Sequence, residues 1–97
     1  MDQLKAMKIF CRVAELSSYS EVSKEQGLSR SAVSRMMTQL EESLAVKLMN
    51  RSTRTLVLTD AGQEFYRESQ KLLQAHEALQ DRMRQGKSQA KGILRIG

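Results

Sequence analysis

The chain has no proline, and Gly27 is the one glycine before Gly62. Backbone breaks in the N-terminal part must therefore come from polar clusters and from that single permissive position. Gly27 sits between two segments of helical character. Residues 28–44, LSRSAVSRMMTQLEESL, carry Val33, Met37, Leu40 and Leu44 at three- and four-residue steps, an apolar face that one helix can bury. The segment before Gly27 is shorter and begins at Ser18, which stands three residues ahead of Glu21 in capping-box spacing. Gly27 suits the left-handed position past the end of that short helix. Leu28 fills the turn and Ser29 can cap the longer helix. A short helix, a tight glycine turn and a longer amphipathic helix make a helix-turn-helix.

The flanking segments complete a small domain. Residues 2–16 form a first helix: Leu4, Met7, Phe10, Val13 and Ala14 make its stripe, Asp2 is its N-cap, and Ser17 and Ser18 end it. The third helix stops near Leu44 or Ala45, and VKLMNRSTRTLVLT then breaks helical period. Leu56 and Leu58 alternate around Val57, so two short strands around the Ser52-Thr53-Arg54 turn are expected to form a β-hairpin wing. Thr59 caps a last helix that nothing interrupts from residue 60 to about 85, a length of about 39 Å at 1.5 Å per residue. GKSQAKG has linker composition, and ILRIG resembles the start of a strand with no partner in this chain.

The last helix is too long for so small a domain to bury. Phe65, Ser69, Leu72, His76, Leu79 and Met83 follow alternating four- and three-residue steps, and Tyr66 and Leu73 widen the stripe. Such a seam calls for a second helix, and homodimerisation through it is expected. The competing arrangement packs the helix back on its own domain, which can use only the first turns. The fold expected is mainly α: a winged helix-turn-helix of three helices plus a two-stranded β-hairpin over residues 1–59, a linker and dimerisation helix over 60–90, and the start of a further domain at 91–97.

Charge narrows the partner. The 97 residues carry a formal net charge of +5, which points to an anionic partner such as nucleic acid. Between residues 30 and 54, Arg30, Arg35, Lys47, Arg51 and Arg54 face only Glu41 and Glu42. No apolar run approaches the roughly 18 residues a membrane helix needs, and MDQLKAMKIF does not resemble a signal peptide. Cys11 is the single cysteine, so no internal disulfide and no Cys/His metal site is expected, and a buried thiol is its default role. A cytoplasmic location follows, and the Asn50-Arg51-Ser52 sequon is then chance. An enzyme is not expected: the single histidine, His76, falls on the seam, and no Gly-rich phosphate loop, Cys-His pair or Gly-x-Ser-x-Gly elbow occurs.

A B-DNA major groove accepts one α-helix, N-terminal end first. Arg30, Ser31, Ser34, Arg35 and Thr38 lie opposite the apolar face of the third helix, and Glu41 and Glu42 close the same polar face at its far end, where they would repel phosphate. The N-terminal half is therefore the part expected to enter the groove. Arg51, Thr53 and Arg54 of the wing are expected on backbone phosphates or in the minor groove, with an ion pair inside the fold as the competing role for Arg51. Ser18, Ser20 and Ser29 stand at helix N-termini, where hydroxyls and free amides can hold phosphates as well as cap. The alternative function is a winged-helix protein–protein interaction module. An RNA-binding version is weaker, since Phe10 and Phe65 fall at core positions and leave little for base stacking.

The run from Ser17 to Gly62 resembles the N-terminal domain of LysR-type transcriptional regulators. The family pattern has an aromatic after a Gly-Ser pair, then an alanine pair, then Ser-x-x-Ala-[Val/Leu]-Ser-Arg, then Leu-Glu, then a wing ending Leu-Thr-x-x-Gly. Tyr19, Ser29, Ala32, Val33, Ser34, Arg35, Leu40, Glu41, Leu58, Thr59 and Gly62 supply it here. Ser17, Val22, Ser23, Ala45 and Met49 depart from it at core positions. Arg30 and Ser31 stand where Gln-Pro is common, on the face expected to meet DNA, so they bear on which operator is read. The resemblance implies sequence-specific binding of double-stranded DNA at an imperfect inverted repeat near a promoter. It also implies dimers through the long helix, tetramers at full length, and activation or repression of transcription. It implies no cofactor in this part of the chain and a small-molecule effector on a C-terminal domain of about 200 further residues, whose first strand GILRIG resembles.

Overall fold

Each helix of the computed structural model, which describes residues 2–51 and 55–88, starts at a side chain that accepts one of its free amides. Asp2 accepts from Lys5 N at 3.2 Å, and α1 runs Gln3–Leu16. Ser18 accepts from Glu21 N at 3.1 Å ahead of α2, Tyr19–Gln26. Ser29 accepts from Ala32 N at 3.0 Å ahead of α3, Arg30–Leu44. Thr59 Oγ1 accepts from Gly62 N at 3.0 Å ahead of α4, Asp60–Ser88. The first three helices end on left-handed residues: Ser17 at φ 53°, Gly27 at φ 69° and Ala45 at φ 56°. Only Gly27 adopts that conformation without a Cβ penalty.

Between α3 and α4, β1 (Met49–Arg51) and β2 (Leu56–Leu58) pair antiparallel, with Met49 opposite Leu58, Asn50 opposite Val57 and Arg51 opposite Leu56. The expected alternation holds: Leu56 and Leu58 pack toward the core and Val57 faces out. α4 continues three residues past the expected end at 85. Gly86 costs a helix interior about 1 kcal/mol but keeps its amide in the ladder, so it weakens the last turn without ending it. The strand and further domain expected at 91–97 lie outside the described residues.

The core is where the three short helices meet the base of the wing. Ile9, Phe10 and Val13 of α1, Val22 of α2, Val33, Met37 and Leu40 of α3, and Leu48 and Met49 are buried together. Cys11 is buried with them, and burial, followed by the charge of Glu15, pushes its thiol up to about 11. α4 enters this core through Phe65, whose ring meets Phe10 edge-on with centroids 5.3 Å apart. Its first turn is seated against the chain before β1: Thr59 N donates to Leu48 O at 3.0 Å and Thr59 Oγ1 donates to Lys47 O at 2.7 Å. One turn on, a Cβ at Gly62 would lie 1.9 Å from Leu48 O, so only glycine permits this approach.

Candidate nucleic-acid interface

The polar face of α3 is set by helical geometry. Val33, Met37 and Leu40 point inward and are fully buried. At about 100° per residue, Ser31, Ser34, Arg35 and Thr38 fall on the opposite arc. Arg30, Ser31, Arg35 and Thr38 are exposed and Ser34 is half-buried. Ser31 Oγ lies 3.3 Å from Ser29 Oγ, which also caps the helix. Among the described residues, the side chains of Arg30 and Arg35 make no ion pair or hydrogen bond. Arg35 borders an open groove between α1 and α3 that Asp2, Lys5, Ala32, Met36 and Gln39 also line. From Ser29 to Thr38 the helix carries no acid. Ser18 is engaged as a cap, whereas Ser20 is exposed, and its carbonyl accepts from Ser23 Oγ at 2.7 Å.

The far end of α3 differs from expectation. Glu41 is not on the exposed face beside Glu42; it is 8% exposed. Its Oε2 accepts from Leu48 N at 2.8 Å and Met49 N at 3.1 Å, and its Oε1 pairs with Arg51 Nη2 at 3.4 Å. The turn at Ala45 folds the chain back over that side of α3, and the carboxylate satisfies two amides that lead into β1. Glu42 alone remains as the exposed acid.

Arg51 is held on its other side too. Its Nε donates to Tyr19 Oη at 2.7 Å, and Tyr19 Oη lies 3.6 Å from Met49 Sδ as donor. The internal ion pair weighed for Arg51 in the sequence is therefore present, and this arginine ties α2, α3 and β1 together. Lys47 is exposed at the base of the wing. Thr53 and Arg54 lie outside the described residues.

The seam of α4 divides into two parts. Phe65, Tyr66 and Leu73 pack against the core, and Ser69 is 1% exposed with its hydroxyl unpartnered. Tyr66 Oη donates to Glu15 at 2.7 Å, which pushes the phenol up to about 12, and accepts from Gln70 Nε2 at 3.0 Å. Further along, Leu72 is 54% exposed, Leu79 46% and Met83 61%, with His76 half-buried between them. The first turns thus serve the domain itself, and the later turns carry an uncovered apolar stripe.

One cluster has no local signature in the sequence. Arg12 grips Glu25 with both arms of its guanidinium, Nε to Oε1 at 2.8 Å and Nη2 to Oε2 at 2.7 Å, and also pairs with Glu15. The hydrogen bond from Arg12 holds the Glu25 carboxyl below the usual carboxylate range. The pair is 13 residues apart, so no short spacing announces it. Among the described residues, no group of three or more acidic, histidine or cysteine side chains could hold a metal ion, and no helix is long and apolar enough to cross a membrane.

Residues 4–63 match the family model described as bacterial regulatory helix-turn-helix protein, lysR family. The whole chain aligns at 34% identity with the HTH-type transcriptional activator AaeR of Escherichia coli K12, covering 31% of that protein. The chain therefore spans about a third of the length of such curated relatives. Among solved structures, the BenM DBD in complex with catB site 1 DNA superposes with a TM-score of 0.84 at 26% identity, covering 88% of this chain and 94% of that one. The CbnR DBD in its DNA complex does so with a TM-score of 0.81 at 31% identity, covering 86% and 95%.

Proposed function

Given that the chain belongs to the lysR family of bacterial regulatory helix-turn-helix proteins, we propose that it binds double-stranded DNA sequence-specifically, as a dimer, and is the DNA-reading part of a transcription regulator. The observation that carries this is the N-terminal half of α3, where Arg30 and Arg35 are exposed without internal partners on a face free of acids. A basic, uncommitted helix start with small hydroxyl neighbours fits a major groove. Arg30 and Arg35 would reach base edges, and a bidentate arginine–guanine contact discriminates by about 1–3 kcal/mol. Ser31, Ser34 and Thr38 would bond bases or phosphates alongside. Ser18, Ser20 and Ser29, at the starts of α2 and α3, would hold phosphates and fix the register.

The wing lies beside α3, with Thr53 and Arg54 assigned to the backbone or minor groove and Arg51 contributing mainly by holding β1 in place. Two copies would meet through Leu72, His76, Leu79 and Met83, while Phe65, Tyr66, Ser69 and Leu73 pack on their own domain. That places two recognition helices in successive major grooves about 34 Å apart or at a longer multiple, over an imperfect inverted repeat near a promoter. The working units are residues 1–59 as reader, 60–90 as linker and dimerisation helix, and 91–97 as the first strand of an effector domain. The protein would act in the bacterial cytoplasm, by binding rather than by catalysis. In a protein of its relatives' length, a small-molecule effector would act on a C-terminal domain and tetramers would form.

Selection of bound duplexes from a random pool at about physiological salt tests this. Enrichment of an inverted repeat, with affinity falling steeply as salt rises, is the expected result. Recovery of no sequence, with salt-insensitive capture of a protein partner, would overturn it in favour of an interaction module.

A further inference from the structure

The contacts around Arg12 form a continuous path across the molecule. Glu25 lies in the last turn of α2, two residues before the Gly27 turn that leads into α3. It is forked to Arg12 on α1; Arg12 is paired with Glu15; Glu15 accepts from Tyr66 on α4; and Tyr66 accepts from Gln70. The reading head is thus joined to the long helix by directional bonds as well as by the Phe10–Phe65 contact. The side chains of Arg12, Glu15 and Glu25 are each more than a third exposed, so these bonds add little to stability. What the forked Arg12–Glu25 pair and the charge-assisted Tyr66–Glu15 bond do supply is direction, the first between α1 and α2 and the second between α1 and α4.

We propose that Arg12, Glu15 and Tyr66 are positioning residues that set the angle between the recognition helix and α4, and through it the half-site spacing that a dimer accepts. This rests on the dimeric DNA-binding reading above. The lever is long: Tyr66 to Leu79 spans about 20 Å of helix, so a tilt of about 10° moves the uncovered stripe by about 3.5 Å, close to one base-pair step. A loosened joint leaves each half-site contact unchanged and relaxes the spacing between them.

Two measurements test this. In the first, the selected inverted repeat is rebuilt with its spacer lengthened and shortened one base pair at a time. Tyr66→Phe and Glu15→Gln are expected to keep the half-site sequence, the fold and the dimer. They should lower the preference for the best spacing over its neighbours by up to about fivefold, the most that an exposed bond of this kind accounts for. Unchanged spacing preference in both variants would overturn the proposal while leaving DNA reading intact. If the unsubstituted chain selects no inverted repeat, the DNA reading fails and the spacing role fails with it. The second measurement needs no DNA. Spin labels at Lys24→Cys and Ala78→Cys, both exposed positions, report the α2–α4 distance in a Cys11→Ala background, with excess unlabelled chain to isolate distances within one copy. A distribution that broadens in Tyr66→Phe supports the joint, and one that keeps its width rules it out.

Discussion

Gly62 of α4 rests directly on the carbonyl of Leu48: a Cβ there would stand 1.9 Å from the oxygen and 2.9 Å from the carbonyl carbon. The same oxygen accepts the Thr59 amide at 3.0 Å, so it cannot move aside without losing a bond. Gly62→Ala is therefore expected to destabilise the chain by at least about 3 kcal/mol, as overpacking against backbone does. Gly86 offers the opposite case, since a Cβ there meets nothing within 4 Å. Gly86→Ala should stabilise by up to about 1 kcal/mol through helix propensity. Denaturant unfolding of the two variants checks the contrast, and equal effects would contradict the close approach.

Ala45 ends α3 at φ 56°. A side chain in the left-handed region costs about 1–2 kcal/mol, and glycine escapes that cost while giving some back as unfolded-state entropy. Ala45→Gly should therefore stabilise by about 0.5–1 kcal/mol, seen as a raised unfolding midpoint with an unchanged slope. A lowered midpoint would mean that the methyl group is packed.

Alkaline pH should weaken the fold. Cys11 is pushed up from 9.0 to about 11 by burial, and Tyr66 from 10.0 to about 12 by its hydrogen bond to Glu15. Both protons are held more tightly folded than unfolded. Their contribution is complete below about pH 9 and is lost as pH rises through the folded values, because the unfolded chain releases its protons first. Unfolding midpoints should fall between about pH 9 and 12, less steeply in Tyr66→Phe. A flat profile would contradict both assignments.

The uncovered part of α4 should control assembly. Leu79 is 46% exposed, so Leu79→Glu leaves the monomer's core untouched. Losing a buried leucine from both copies, with a charge in its place, should raise the dimer dissociation constant by at least about a hundredfold. Sedimentation of the variant as an intact dimer would refute the seam.

What is legible in the sequence is local. The caps at Asp2, Ser18, Ser29 and Thr59 and the turn at Gly27 are written within three or four residues of themselves. The period-2 run around Val57 marks β2 in the same way. Glu41 misleads because its burial depends on where the chain goes after Ala45: on the helix alone it sits beside Arg30 and Ser34, and only the wing's return covers it. The seam reads as one stripe from Phe65 to Met83 because helical period is blind to how far the rest of the domain reaches: Phe65, Ser69 and Leu73 are covered, and Leu79 is left exposed. Arg12 and Glu25 meet across two helices, and nothing in their spacing announces it.

Arg35 decides whether the N-terminal half of α3 reads DNA. Exposed and without an internal partner, it can be removed without cost to the fold. Binding of Arg35→Ala to the selected inverted repeat, beside a scrambled duplex of the same length, should show specific affinity lost by about 1–3 kcal/mol at each half-site. Weak salt-sensitive binding to both duplexes should remain. A folded Arg35→Ala dimer that still prefers the repeat with near-native affinity would mean that another surface reads the DNA.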